Sequence, residues 1–122
     1  MPVKYRFESS IVVLEMSGDY SMDDLRATIL NALADSARPS GAFLLIDLSR
    51  SRSIYDRSSE DVKTMARFIG SLGRHFNDRI ALVASEDLPF GLMRMGSVGS
   101  DERGIKSEVF RTIAEARTWL LS

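Results

Sequence analysis

The stretch AFLLIDLSRSRSIYDRSSEDV, residues 42–62, decides the fold of this chain. Its first residues, Ala42 to Ile46, form a continuous apolar run, which is typical of a β-strand covered on both faces. Asp47 follows at the carboxyl end of the predicted strand, where open α/β sheets usually place their binding sites. A polar loop comes next, and Ser58 with Asp61 has the spacing of a capping box that begins a helix. The stretch therefore predicts one strand–loop–helix unit of an α/β sheet.

Two strands and a helix are predicted before this unit. Val3 to Phe7 alternates apolar and charged residues, which indicates a half-exposed edge strand. Ile11 to Met16 is apolar and β-branched, so we expect a second strand, antiparallel to the first through a short turn. Ser21 and Asp24 form another capping box, and they begin the first helix.

The residues after the unit repeat its pattern. The helix that begins at Ser58 leads to Arg79–Ser85, a second buried strand that we expect to lie parallel to the one before it. Leu88–Met95 is short, apolar and Met-rich and predicts a helix after its proline. Lys106–Arg111 alternates weakly, which indicates a last edge strand. Thr112 begins a terminal helix.

The element order is therefore ββαβαβαβα. We predict a single α/β domain over residues 1–122, with a central mixed sheet of about five strands and four helices packed over it. A chain of 122 residues is the size of one ordinary domain.

Composition excludes several classes of function. The chain has no cysteine, which rules out disulfides, thiolate catalysis and Cys-ligated metals. Its 16 basic and 17 acidic residues give a formal charge of −1, so nothing attracts it globally to nucleic acid. Its longest apolar run is too short to cross a membrane. We expect a cytoplasmic protein with neither a nucleic-acid partner nor membrane insertion.

Catalytic signatures are also missing from the sequence. His75 is the only histidine, and there is no Ser-His-Asp order, HExxH motif or phosphate-binding glycine loop. Asp47 or Asp56 could act as a base, but neither has a second titratable partner in the sequence pattern. We predict that the chain is not an enzyme and uses no cofactor and no metal.

Three stretches resemble one family of small bacterial proteins. They are LLIDLS (residues 44–49), FGLMRM (residues 90–95) and VFRTIAEARTWL (residues 109–120). In these stretches and in its element order, the chain resembles the SpoIIAA-like group of the STAS/SEC14-type proteins. The resemblance implies a non-enzymatic domain with a STAS-like fold that acts by protein–protein contact, in a regulatory role.

The resemblance also points to a position at the start of the second helix. Anti-sigma-factor antagonists carry the pattern Asp-Ser-Ser/Thr-Gly there, and the serine after the Asp is phosphorylated by a partner kinase. This chain has Asp56-Arg57-Ser58-Ser59-Glu60 instead. Arg57 occupies the phosphoserine place, Glu60 replaces the glycine, and Ser58 is explained by capping. The family's phosphoserine therefore has no direct counterpart in this chain, and phosphorylation of Ser58 or Ser59 is a hypothesis of its own.

Two functions remain open at this point. The first is contact with a protein partner or with a second copy of the chain, which we expect to form a homodimer. The alternative is a SEC14-like binder of a small apolar or amphipathic ligand, in a pocket between the Asp47 loop and Phe90–Met95, since Met-rich surfaces adapt to varied partners. For Asp47 itself, we favour a carboxylate that accepts backbone N–H bonds and orders its own loop. The residues predicted to contact a ligand or partner are Asp47, Ser49, Asp56, Arg57, Ser58, Phe90, Met93 and Arg94.

Overall fold

The computed structural model describes residues 3–18, 21–37, 39, 41–51, 64, 67, 68, 71, 76, 79–85 and 106–122. Their strands form one five-stranded sheet in the order β1-β2-β3-β4-β5. The strands are β1 (Val3–Glu8), β2 (Ile11–Gly18), β3 (Phe43–Ser51), β4 (Arg79–Val83) and β5 (Lys106–Phe110). β1 is antiparallel to β2, and the other neighbours are parallel. The predicted mixed sheet, with the first and last strands at its edges, is confirmed.

The hairpin of β1 and β2 begins the sheet. The register runs from Val3 opposite Met16 to Glu8 opposite Ile11, so only Ser9 and Ser10 form the turn. Ser9 has a φ of 48°, the left-handed conformation that two-residue hairpin turns use at their first position.

Two complete helices lie among the described residues. α1 (Met22–Ala34) begins at Ser21 with the predicted capping box, since Ser21 and Asp24 each bond to the other's backbone N–H. α2 (Ile113–Leu121) begins at Thr112, whose hydroxyl accepts the Glu115 N–H at 3.2 Å. Of the other two predicted helices, the one from Ser58 is represented by four helical residues, namely Thr64, Arg67, Phe68 and Ser71. The one in residues 88–95 lies outside the described residues. In the described part of the chain, no helix is both long and apolar enough to span a bilayer.

The two faces of the sheet are covered differently. On the α1 face, Leu25 and Ile29 of α1 pack on the strands, and Phe68 and Phe76 pack on the same side. Right-handed crossovers that advance in one direction all fall on one face of a sheet, which accounts for this arrangement. The strand residues buried on this face are Val3, Val12, Leu14, Met16, Leu44, Ile46, Leu48, Ile80, Leu82 and Val109.

The opposite face, the α2 face, is covered by the terminal helix. Ala116 and Leu120 of α2 are buried, and the helix packs on β3, β4 and β5. The strand residues buried beneath them are Ile11, Val13, Leu45, Ala81 and Val83. Since α2 follows the last strand, it is not a crossover and is free to lie on this side.

Arg79 holds the end of α2 against the sheet. Its guanidinium donates to the carbonyl oxygens of Trp119, Leu120 and Ser122, at 3.3, 3.5 and 3.2 Å. It also lies 5.6 Å from the Trp119 ring centroid and 6.0 Å from that of Phe43. A cation at a helix C-terminus interacts favourably with the negative end of the helix dipole, so Arg79 of β4 caps α2.

Candidate functional site

Part of the α2 face carries polar instead of apolar side chains. In the described residues α2 packs mainly on β3, β4 and β5, while β1 and the carboxyl ends of β2 and β3 extend beyond it. Strand side chains alternate between faces. The residues of this region that share the α2 face are Lys4, Arg6, Glu8, Glu15, Ser17, Asp47 and Ser49. We call these seven residues, with Arg50 as described below, the open face.

Asp47 lies inside β3 and not at its carboxyl end, because the strand is longer than predicted. β3 continues to Ser51, since Ser17 and Gly18 of β2 pair with the chain beyond Asp47. Asp47 is half-buried and sits directly between Glu15 and Val83 of the neighbouring strands. Asp47 is the first polar residue of β3, and it marks the place where α2 no longer covers the strand, not the place where the strand ends.

The Asp47 carboxylate organises its own strand, as the sequence interpretation favoured. Asp47 Oδ1 accepts the Ser49 N–H at 3.0 Å and the Ser49 hydroxyl at 2.6 Å. Both bonds are local, and they hold Asp47 and Ser49 together at the exposed end of β3. The two predicted site residues that the structure describes are therefore in direct contact.

A β-bulge lies at the same point. Glu15 of β2 pairs with Asp47 of β3, and Ser17 pairs with Arg50. From the first pair to the second, β2 advances by two residues and β3 by three. The extra residue in β3 places the exposed Arg50 opposite Ser17, and hence on the open face. Bulges commonly re-aim a side chain in this way beside functional sites. The Asp47–Ser49 bonds satisfy the Ser49 N–H at the irregular position.

Ion pairs join three other charged residues of the open face, Arg6, Glu8 and Glu15. Arg6 bonds to Glu8 at 2.7 Å and to Glu15 at 2.8 Å. Arg117 of α2 forms a two-pronged pair with Glu8, at 2.9 and 3.0 Å. The side chains are between 29% and 43% exposed. Arg6 also offsets the repulsion that Glu15 and Asp47 would otherwise exert on each other as cross-strand neighbours.

The sequence interpretation missed Arg6, Glu15 and the re-aimed Arg50 as site residues. A signal for the first two was present, because β1 alternates charges with apolar residues and Glu15 interrupts an otherwise apolar strand. Arg50 had no such signal, since the bulge that turns it follows from strand pairing. Six predicted site residues lie outside the described residues, namely Asp56, Arg57, Ser58, Phe90, Met93 and Arg94. The apolar-ligand alternative and the phosphate hypothesis depend on them and stay predictions.

The topology also limits what kind of site the sheet end can form. Open α/β sheets create a ligand crevice where the direction of strand progression reverses. Here β2, β3, β4 and β5 follow in sequence order, without a reversal. In the part of the chain that the structure describes, no three His, Cys, Asp or Glu residues converge as metal ligands would. The open face is thus a charged surface on a continuous sheet.

Comparison with known proteins bears on the fold. An uncharacterised protein from the DUF3478 family of Shewanella loihica PV-4, described as having a SpoIIAA-like fold, is similar in structure with a TM-score of 0.59. The two are 15% identical, over 97% of this chain and 91% of that one. No protein-family model matches the sequence, and no curated protein matches it significantly. The predicted resemblance is confirmed at the level of structure: the chain has a SpoIIAA-like fold.

Proposed function

We propose that this chain is a non-enzymatic STAS-like domain that acts by contact with a protein partner, and that the open face is the contact surface. The observation that supports this best is the paired charge of that face. Arg6, Glu8 and Glu15 bond to one another while remaining partly exposed. Their positions are fixed before a partner arrives, so less conformational freedom is lost on binding.

The charge pattern gives the surface selectivity. Complementary charges steer association and reject partners of the wrong sign, more than they add affinity. Lys4 and Arg50 are exposed on the two outer strands of the open face, β1 and β3, and among the described residues neither forms an ion pair. Both cations are therefore available to acidic groups of a partner.

The bulge fixes the geometry of one end of this surface. The Asp47 carboxylate holds Ser49, and the residue after it, Arg50, faces outward on the same side as Glu15. An acidic, a hydroxyl and a basic side chain therefore sit within four consecutive residues. Such a cluster can recognise a protein surface by hydrogen bonds without any bond being made or broken in the partner.

Affinity capture with matched variants tests this function. Tagged wild-type protein, Asp47→Asn, Arg50→Glu and the control Lys106→Glu would be used as baits in lysate of the cells that make the protein. Lys106 is exposed on β5, at the other edge of the sheet, and its variant makes the same charge change as Arg50→Glu.

We expect wild type and Lys106→Glu to recover equal amounts of the same partner. Arg50→Glu should recover about tenfold less of it, because of like-charge repulsion. Asp47→Asn weakens retention less, because the amide oxygen still accepts from Ser49. Equal recovery of every bound protein by wild type and Arg50→Glu would contradict the proposal.

A further inference from the structure

β1 presents an edge that can extend the sheet. In the described residues no strand pairs with its outer side. A two-residue hairpin turn closes on a hydrogen-bonded pair, here Glu8 and Ile11, and the bonding direction alternates along a strand. Lys4, Arg6 and Glu8 therefore direct their backbone groups toward β2. Val3, Tyr5 and Phe7 direct theirs outward, where they have no partner strand.

Aromatic side chains line the same edge. Tyr5 and Phe7 are only partly buried, on the α1 side of the sheet, with ring centroids 5.6 Å apart. Leu33 of α1, also partly buried, packs against the same core. The Tyr5 hydroxyl donates to Asp35 at 2.8 Å, which fixes the ring. Unpaired backbone groups and fixed, half-covered aromatic rings thus occur together along one strand.

We propose that the β1 strands of two copies of this chain pair antiparallel, about a two-fold axis that lies midway between the two Arg6 residues. In this register Tyr5 lies opposite the partner's Phe7, and Lys4 lies opposite the partner's Glu8. The symmetry repeats each contact. Two aromatic pairs and two opposite-charge pairs are cross-strand contacts that stabilise a sheet.

The charges and the aromatic side chains of β1 together select this register. A two-fold axis that keeps both faces of the sheet aligned places one residue directly opposite its own copy, and the axis lies midway between these two residues. An axis at Tyr5 would place Lys4 opposite the partner's Arg6 twice, which is repulsive. An axis at Phe7 would also form two opposite-charge pairs, Arg6 with the partner's Glu8, but it would place Tyr5 opposite the turn residue Ser9 and reduce the aromatic contacts to Phe7 with its own copy. With the axis at Arg6, the one like-charge pair is Arg6 with itself, and each is already paired with Glu8 and Glu15.

The resulting dimer would have one ten-stranded sheet, with the open faces of the two copies side by side. The inference does not rest on the proposed function: Lys4 and Glu8 belong to the open face, but the dimer forms through the backbone edge and the aromatic side chains of β1. A monomer could still bind a partner through Asp47 and Arg50.

A single cysteine tests the register directly. The chain has no native cysteine, so an Arg6→Cys variant can cross-link only at position 6. Opposed residues of a non-hydrogen-bonded antiparallel pair have Cα atoms about 4.5 Å apart, within the roughly 4.4–6.8 Å range of disulfides. Two copies of position 4 would be about 13 Å apart, four residues along the strand at roughly 3.3 Å each.

We expect mild oxidation to convert most Arg6→Cys protein to a covalent dimer, and Lys4→Cys protein to remain uncross-linked. A mixture of Lys4→Cys and Glu8→Cys should give the mixed dimer. Equal cross-linking of Lys4→Cys and Arg6→Cys would overturn the register, because it indicates random collision. A disulfide between Arg6→Cys and a different protein, in place of the dimer, would overturn the second copy as occupant.

Sedimentation equilibrium provides a test that needs no cysteine. Wild-type protein should show a monomer–dimer equilibrium, with Lys4→Glu weakening the dimer at least tenfold and Lys106→Glu leaving it unchanged. Wild type that stays monomeric up to about 1 mM, a concentration at which even a weak complex of about 4 kcal/mol is half-formed, would overturn the proposal.

Discussion

The two faces of one sheet have been built in different ways from the same strands. On the α1 face, alternate residues from β1 to β5 are apolar and pack with α1, Phe68 and Phe76. On the α2 face, apolar residues occur where α2 lies, and charged residues replace them toward β1. In the described part of the chain, coverage follows the connections: α1, Phe68 and Phe76 precede a following strand and lie on one face, and the terminal helix α2 lies on the other.

The comparison teaches where to look for function in this fold. Parallel sheets are normally covered on both faces and carry apolar runs. A charge inside such a run therefore marks uncovered sheet. Glu15 in β2 and Asp47 in β3 are two such charges, and they lie beside each other in register. The polar part of the α2 face is thus formed by charged residues of two strands that are far apart in sequence.

Leu14 and Glu15 should give the largest difference between the faces. They are adjacent in β2, but Leu14 is fully buried on the α1 face and Glu15 is 43% exposed on the open face. Leu14→Ala should lower the free energy of unfolding by about 2–5 kcal/mol, because it leaves a cavity. Glu15→Ala should cost less than about 1 kcal/mol, as exposed ion pairs do. Urea denaturation measures both, and similar losses would contradict the assignment of faces.

Arg79 should have the next largest effect, confined to the α2 face. Arg79→Ala removes three bonds to carbonyl oxygens and the contacts with Trp119 and Phe43. Hydrogen bonds to a charged group contribute about 1.5–3 kcal/mol, so a loss of that order is expected. Trp119 fluorescence should shift as the end of α2 loosens, and Arg79→Lys should restore only part of the stability, because a lysine cannot stack as a guanidinium does.

Arg50→Ala is the control for Arg79. Arg50 is exposed and has no ion pair among the described residues, so its loss should leave both stability and Trp119 fluorescence unchanged. An equal loss for the two arginines would show that Arg79 does not hold α2.

The two helix caps allow a smaller comparison. Ser21 begins α1 and Thr112 begins α2, and each side-chain oxygen accepts a backbone N–H from the third helical residue. Ser21→Ala and Thr112→Ala should each cost about 1 kcal/mol. Hydrogen exchange should then rise in the first turn of the affected helix only. A rise across both helices after either change would mean that the two faces unfold together.

The smallest expected effect is a pH dependence at the outer edge of β1. The Ala37 N–H and then the Tyr5 hydroxyl lower the pKa of Asp35, and the bond to Asp35, helped by burial, raises the pKa of Tyr5. The Asp35 contribution is present above about pH 4 and is lost as the pH falls through its lowered pKa. The Tyr5 contribution is present below about pH 10 and is lost as the pH rises through its raised pKa.

The variant Tyr5→Phe checks this dependence. The difference in urea midpoint between wild type and Tyr5→Phe should be constant near neutral pH and shrink in acid and in alkali. Part of the Asp35 effect persists in the variant, since the Ala37 N–H still bonds to it. A difference that stays the same from pH 3 to pH 11 would contradict the bond.

The sequence was sufficient for most of the architecture. Period-two alternation predicted β1, apolar runs predicted β2, β3 and β4, and Ser21 and Thr112 predicted both helix starts, because each of these signals is local. The end of β3 could not be predicted. It depends on the pairing of Ser17 and Gly18 with residues beyond Asp47, which is a contact between strands distant in sequence.

The candidate site was predicted only in part, for the same reason. Asp47 and Ser49 stood out as polar residues after an apolar run, and the structure joins them. Arg6 and Glu15 meet through the β1–β2 register, and Arg117 reaches Glu8 from the other end of the chain. Neither the pairing nor the bulge has a marker within one segment, so the open face appears only when the strands are assembled.

The most direct test of the open face as a contact surface is photo-cross-linking in the cells that make the protein. A photo-reactive amino acid would be placed at position 50 on the open face, and at position 30 as the control. Leu30 is 50% exposed on α1, on the opposite side of the sheet. The account predicts a discrete adduct with another protein from position 50 and none from position 30. Adducts from position 30 alone, or the same adducts from both positions, would contradict it.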